Sequence, residues 1–580
     1  MRKLDKATVI ITMLLSIIIF WLANRMVHLY MLQQGDIPTR VTLTAEKFIP
    51  SLATVPFFIS LEERAIVAGL IGVILPVLWM FHDLIKRKNY RFGEEHGSAE
   101  WGSNSDIKPF KDKDSEQNIL LTKTEGLSIN TRKTLRNNNV CVIGGAGAGK
   151  TRYFVKPNLM QLHCSYVITS SKGVELGETG QMFLDNGYKL KVLNLKDWKG
   201  HCYNPFAYIK SDEDILRLVD NIMINTNNEG KRSTADGGFW EKAERMLLLA
   251  LFTFVHEEGQ PSERNIQTVC HLMTLAEAKE EDEDYKSALD FVMEEVSEDS
   301  LTFYYYNQYK LASGKTAKSI LVSVAARLIP FNLPKVKKLL AKDELELDKL
   351  GEEKTVLYVV IPDTNDTFNF IAAMMYQQLF EINITKADEE YNGRLPIHIR
   401  CLLDEFANTG QIPQFDKLIA TIRSREISVN VILQNLSQLK NLYKDTWETI
   451  VGNCDSFLFL GGKEPATLEL VSKMVGTTTI DMRTTSTSHG KDRSATLGEQ
   501  VISRSLITES EIGLLKTDEC ILSIRGVMPF LSKKYDIKKH ERYEQLSDFN
   551  PENHFVFNKD QHEEVQIETI KEIYILEGEE

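Results

Sequence analysis

Cysteine is sparse in this sequence and unpaired in its spacing. The seven residues Cys141, Cys164, Cys202, Cys270, Cys401, Cys454 and Cys520 are scattered over 580 positions without a CxxC pair. That excludes a zinc ribbon or a disulfide framework and points to reduced, buried residues of a cytosolic region. Basic excess is lacking as well. With a formal net charge of −13, the chain is no indiscriminate nucleic-acid binder, and any such contact has to be local, in a channel or on a basic edge. An LSGGQ-like signature is missing and there are only two long apolar runs, which argues against a transporter of small solutes.

Those two runs, Ala7 to Ala23 and Ala65 to Phe81, predict transmembrane helices over about 7–27 and 65–84. A cleaved signal peptide followed by a buried core helix is the competing reading. Arg2, Lys3 and Lys6 precede the first run, and Lys86, Arg87, Lys88 and Arg91 follow the second. Positive flanks stay inside, so the chain is expected to pass the cell membrane twice with both termini cytoplasmic. Trp21, Tyr30 and Trp79 fall near the span ends, and residues 24–64 form a short extracytoplasmic segment.

From Val140 onward, strand-like runs alternate with amphipathic helical ones. The runs are VCVIGG at 140, SYVITS at 165, KLKVLNL at 189, TVLYVVIP at 355, HIRCLLDE at 398, SVNVILQ at 428 and SFLFLGG at 456. This predicts an α/β fold with a mostly parallel sheet covered by helices. The alternation breaks between Ile209 and Gly351, where only helical periodicity is found, as in WEKAERMLLLALFTFV from Trp240. The expected organisation is a membrane anchor over 1–90, a nucleotide-binding domain in two parts over 91–208 and 351–545, an inserted all-α domain over 209–350, and an acidic tail over 546–580. The run EAKEEDEDY from Glu277 reads as a solvated face or a docking surface for a basic partner. The Ser/Thr-rich stretch from Thr477 to Thr496 is expected to be a mobile loop or hairpin, serving as a plain linker or touching nucleic acid through Arg483, Lys491 and Arg493.

Chemistry is concentrated in GGAGAGKT: Gly144, Gly145, Ala146, Gly147, Ala148, Gly149, Lys150 and Thr151 fill every fixed position of G-x-x-x-x-G-K-[ST]. Backbone N–H groups of such a turn, at the positive end of a helix, surround phosphates. Lys150 reaches the β- and γ-phosphates and the Thr151 hydroxyl holds Mg²⁺, which makes the chain a candidate ATPase. Asp404 and Glu405 follow an apolar strand, and ligands bind beyond the carboxyl ends of parallel strands. Asp404 is therefore a second candidate for Mg²⁺ and Glu405 for the base that orients the attacking water. In RSRE, Arg423 or Arg425 is expected on the same rim, offering positive charge to the transferred phosphoryl group from its own or a neighbouring subunit, with a surface salt bridge as the competing reading, more so for Arg425. Gln434, at the end of SVNVILQ, either senses the γ-phosphate or is a structural amide.

These residues carry a resemblance. HGSAEWG at 96, VIGGAGAGKTRYFVKPNL at 142, SYVITSSKG at 165, YNPFAYI at 203, FWEKAERMLL at 239, CLLDEFANTGQIP at 401, RSRE at 423, VILQNLSQL at 431 and RSLITESEI at 504 resemble, in order and spacing, the type IV secretion coupling proteins of the TraG/TraD conjugation family. These are RecA-like P-loop ATPases related to FtsK-type translocases. The resemblance implies a membrane-anchored homo-hexamer that takes relaxase-bound single-stranded DNA to the subunits of a secretion channel, with the helical insertion recognising the substrate. Two other roles stay open: a docking receptor that uses ATP as a switch, and an FtsK-type DNA translocase. One departure concerns the turn after the second strand. The family has Asp-Pro before Lys-Gly, whereas Ser170 and Ser171 precede Lys172 and Gly173 here, so no role is carried over for that acid.

Overall fold

The computed structural model describes residues 6–86, 93–226, 237–279, 285–312, 314–363, 365–487 and 495–558. Arg2, Lys3, Arg87, Lys88 and Arg91 of the topology argument, most of the acidic run after Glu277, Lys491, Arg493 and the tail beyond 558 lie outside these residues. The chain divides into two compact units, Met1–Glu95 and His96–Glu580.

The first unit holds three helices, α1 (Lys6–Met31), α2 (Ile37–Thr54) and α3 (Glu63–Lys86). Stretches of α1 and α3, Val9–Met31 and Glu63–His82, are long and apolar enough to cross a membrane. Gly69 and Gly72 let the two helices approach: a Cβ at Gly69 would stand 2.6 Å from the Phe20 ring, and one at Gly72 3.0 Å from Ile19. Small residues at such a crossing let apolar helices pack in lipid. Away from it, Ile10, Leu14, Ile17, Leu70, Ile74 and Leu75 are exposed. At the far end Asn24 exchanges two hydrogen bonds with the Ser60 backbone, at 3.0 and 2.8 Å, and Arg25 donates to Val55 O at 2.9 Å. This polar knot is buried, and it ties the segment that enters α3 to α1.

The second unit is built on a nine-stranded sheet. Its strands are β1 (Val140–Ile143), β2 (Ser165–Ser170), β3 (Lys189–Asn194), β4 (Thr355–Val360), β5 (Ile399–Leu403), β6 (Ile427–Leu433), β7 (Ser456–Phe459), β8 (Glu519–Ile524) and β9 (Phe530–Lys533), in the order β9-β8-β7-β1-β6-β5-β2-β4-β3. The first seven are mutually parallel. They are the seven apolar runs of the sequence, and most of their residues are buried because both sheet faces are covered. β8 and β9 add antiparallel at one edge. The Ser/Thr-rich stretch forms a two-stranded antiparallel ribbon, Thr477–Thr487 with Ala495–Ser505, the hairpin of the two forms expected for it. Ile480 and Met482 alternate with the polar Thr479, Asp481 and Arg483, a local period of two that a strand allows.

Between Asn194 and Thr355 the described residues hold helices and turns and no strand. Two of these helices are Asp212–Asn225, opened by a Ser211/Asp214 capping box, and Gly237–Glu257. Leu247, Leu251 and Phe252 of the second belong to the same apolar cluster as Phe206, Phe370 and the sheet residues Val359 and Leu403. The insertion therefore shares its core with one face of the sheet. Arg327 and Glu244, both nearly buried, pair within it at 2.6 Å, and Arg327 also donates to Met223 O at 3.1 Å.

Candidate active site

Chain direction places the site. Because β1, β5, β6 and β7 are parallel and adjacent, the residues that follow them all emerge on one rim. Gly144 follows β1, Asp404 and Glu405 follow β5, Gln434 follows β6, and Gly461 lies just beyond β7. Gly145 N–H donates to Gly461 O at 2.8 Å and Gly144 N–H to Leu433 O at 3.0 Å, so the loop between β1 and the next helix is pinned by both neighbouring strands. Gly147 and Gly149 adopt φ +76° and +82°, where a side chain would be strained, and a Cβ at Gly149 would also stand 2.5 Å from the Tyr153 ring. The following turn, Thr151–Val155, is widened to i+5 hydrogen bonding, and Lys156–Leu159 continues as α-helix. Pro157 accounts for the widening, since its ring would collide with the Tyr153 carbonyl in a regular α-helix.

Three of the expected groups converge. Thr151 Oγ1 donates to Asp404 Oδ2 at 2.8 Å. Lys150 Nζ donates to Gly144 O at 3.1 Å, folded back over the loop. Asp404 is 7% exposed, and burial raises its carboxyl above the usual range, opposed by the Thr151 hydrogen bond and the Lys150 charge. A buried carboxylate and a hydroxyl side by side, with cationic Lys150 adjacent, suit a hard cation that accepts few protein ligands and keeps its waters. Glu405 sits at φ +55°, an uncommon conformation for glutamate. Its carboxylate is held by Asn408 Nδ2 at 3.1 Å, and Gln434 Nε2 lies 3.5 Å away. Gln434 thus touches the candidate base directly, while its own N–H is taken by Gln438 Oε1 at 2.9 Å.

Arg423 is not on this rim. β6 runs parallel to β5, so the connection must carry the chain back to the amino-terminal edge before β6 begins. Arg423 and Arg425 lie there, in the turn Ile422–Arg425. The seven residues of β6 separate that turn from Gln434 by ~23 Å. The shared rim expected from the sequence is therefore corrected: within one subunit Arg423 cannot reach the phosphate loop. The two arginines also differ. Arg425 is tied to Asp388 by two hydrogen bonds at 3.1 and 2.7 Å, whereas Arg423 is exposed with no hydrogen bond or ion pair among the described residues.

Several lining residues escaped the sequence reading. A cleft of about 630 Å³ runs from Gly147, Lys150 and Thr151 past Asp404, Glu405 and Glu175 to Lys156, Glu178, Ile537, Tyr543 and Asp548. At the turn where the acid is missing, Ser170 Oγ donates to Glu175, so a carboxylate from the next helix, Val174–Asp185, does line the cleft there.

 The C-terminal segment closes the far side: Lys534 Nζ donates to Ala148 O at 3.0 Å, and Lys156, 6% exposed, is bridged by Glu178 at 2.6 Å and Asp548 at 2.8 Å. No motif marks these residues in the sequence. The only cue is the Gly177/Gly180 pair on the helix Val174–Asp185, where a Cβ would stand 2.4 Å from His554 and 2.7 Å from Phe555. Residues 546–558, grouped with the acidic tail in the sequence reading, thus pack on that helix, and Phe555 N–H donates to Gly177 O at 2.8 Å.

A profile described as Type IV secretory system Conjugative DNA transfer matches residues 101–556. Conjugal transfer protein TraG of Rhizobium radiobacter is 23% identical over 408 residues, 67% of this chain and 60% of that protein. TraG of Escherichia coli is 28% identical over 214 residues, 35% of this chain and 33% of that protein. The chain thus spans between one third and three fifths of the length of these curated relatives. The plasmid coupling protein TrwB, solved in complex with ADP and Mg²⁺, superposes with a TM-score of 0.55 at 16% identity, over 77% of this chain and 96% of TrwB. That likeness establishes a shared RecA-like fold. With the profile covering most of its length, the chain belongs to the type IV secretion conjugative DNA transfer family, the coupling proteins of the TraG/TraD kind.

Proposed function

We propose that the chain is a membrane-anchored, Mg²⁺-dependent ATPase that couples a relaxase-bound DNA substrate to a conjugative secretion channel. The observation that carries this reading is the Thr151–Asp404 hydrogen bond, which joins the phosphate loop to the acidic end of β5 inside a family chain. Thr151 and Asp404 would hold Mg²⁺. The ion would neutralise charge developing on the phosphate oxygens. Lys150 leaves Gly144 O for the phosphates, and the N–H groups of Gly145 to Thr151 surround them. Glu405, steadied by Asn408 and facing Gln434, orients water toward the γ-phosphorus and takes its proton as the β–γ bridging bond breaks.

The division into an anchor over 1–90, ATPase halves over 91–208 and 351–545, a helical insertion over 209–350 and a tail over 546–580 belongs to this proposal. So does the two-pass topology with cytoplasmic termini. Exposed Arg423, far from its own subunit's loop, serves the site of the neighbour in a homo-hexamer.

The test is the ATPase rate of the detergent-solubilised full chain with and without single-stranded and double-stranded DNA. DNA stimulation together with ring-shaped particles is expected for a pump. Hydrolysis indifferent to DNA would instead favour a docking receptor that uses ATP as a switch.

A further inference from the structure

The cleft is larger than its phosphate end requires. One end is fixed by Gly147, Lys150 and Thr151, and the remainder of its roughly 630 Å³ extends along Arg152 and Lys156 toward Ile537, Tyr543 and Asp548. Arg152 and Lys156 are four residues apart and line one side of the same helical segment. Lys156 is not free to bind phosphate, because Glu178 and Asp548 already neutralise it from both sides. Two carboxylates beside an aromatic ring repel further phosphate and suit the uncharged part of a nucleotide.

The wall that supplies them is built to stay in place. Lys534 holds its start to the phosphate loop through Ala148 O, and its ammonium stands 5.3 Å from the centroid of the Tyr153 ring. Ser547 N–H donates to Glu178 O at 3.3 Å, and Phe555 N–H to Gly177 O at 2.8 Å. Gly177 and Gly180 leave the notch that receives His554 and Phe555. Phe549 packs against the Tyr543 ring edge to face, with centroids 5.8 Å apart and planes at 75°, which fixes the orientation of Tyr543.

We propose that the C-terminal strap, residues 534–557, is the base-binding wall of the nucleotide cleft, with the Tyr543 ring stacking on the base and Asp548 latching the wall to Lys156. This rests on the cleft being a nucleotide site and adds how the base is held. Stacking of a base on an aromatic ring is sequence-tolerant and is lost on truncation to alanine.

The experiment measures binding of ATP and of inorganic tripolyphosphate, which has no base, to the full chain. Tyr543→Ala is expected to weaken ATP about 10- to 100-fold and to leave tripolyphosphate unchanged, while Tyr543→Phe binds both as the wild type does. Equal ATP affinity in Tyr543→Ala, or an equal loss for both ligands, overturns the base wall. Wild-type hydrogen exchange gives a readout independent of any variant: ATP is expected to slow exchange across residues 541–549 and tripolyphosphate is not, and equal slowing by both overturns the proposal. Should the wild type bind neither ligand, the nucleotide reading itself falls; should it bind ATP with no contribution from Tyr543, only the base wall does.

Discussion

The hydroxyl of Thr151 and the carboxylate of Asp404, 253 positions apart in the chain, lie 2.8 Å from each other. The contact exists because β1 and β5 are parallel and separated only by β6. Asp404→Asn keeps the shape and a hydrogen bond from Thr151 but removes the charge that offsets a cation. It is expected to lower kcat about 100-fold or more and to raise the Mg²⁺ concentration needed for half-maximal rate. Steady-state ATPase assays over a Mg²⁺ series check this, and an unchanged Mg²⁺ requirement would count against Asp404 as a ligand.

Glu405 predicts a different phenotype, since it holds neither the loop nor the cation. Glu405→Gln should retain ATP binding and lose ~10²- to 10⁴-fold in the hydrolytic step. Single-turnover measurements on pre-bound ATP separate the two. A variant that fails to bind ATP would show that Glu405 is structural.

Arg423 and Arg425 should part company. Arg425 is held by Asp388 and by Thr421 O, so Arg425→Ala is expected to cost at most ~1 kcal/mol of stability and little activity. Arg423→Ala should abolish hydrolysis without changing the melting temperature. Mixing inactive Arg423→Ala with inactive Lys150→Ala should restore part of the activity, because some interfaces then pair an intact Lys150 with an intact Arg423. Absence of recovery in mixed oligomers would exclude action across subunits.

A pH dependence of stability follows from Glu381, in the helix Asn369–Glu390, where burial pushes the carboxyl up to about 7 against help from Gln377 and Arg217. An acid whose folded value is raised favours folding below its unfolded value, near 4.5, and that contribution is lost as pH rises through about 7. Glu381→Gln removes the cost of ionisation. Thermal unfolding should therefore show the variant more stable than wild type at pH 8 and no more stable at pH 5. The reverse order at pH 8 would mean that the Arg217 contact at 3.7 Å outweighs burial.

How legible was this in the sequence? The seven parallel strands were, because burial on both faces forces each into an apolar run that stands out between helical periods. β8 and β9 were not. They follow one another without an intervening helix, outside the strand–helix alternation that marks the others, and FLSK in β9, the edge strand, carries no apolar run. The phosphate loop and the Asp404–Glu405 pair could be assigned to one rim because both directly follow parallel strands. Arg423 could not, since it comes before its strand rather than after it, and only the return of the connection to the opposite edge decides its position. The C-terminal strap was invisible for another reason. Its contacts are made by scattered side chains on short turns, Lys534, Ile537, Tyr543, Asp548 and Phe555, whose spacing has no period.

Loss of the Lys150 ammonium tests the central claim most directly. In cells whose conjugative transfer depends on this chain, Lys150→Ala should insert into the membrane at the wild-type level and abolish DNA transfer, because charge on the phosphates is no longer met. Transfer at the wild-type frequency by that variant would contradict the account, since DNA would then move without hydrolysis at this site.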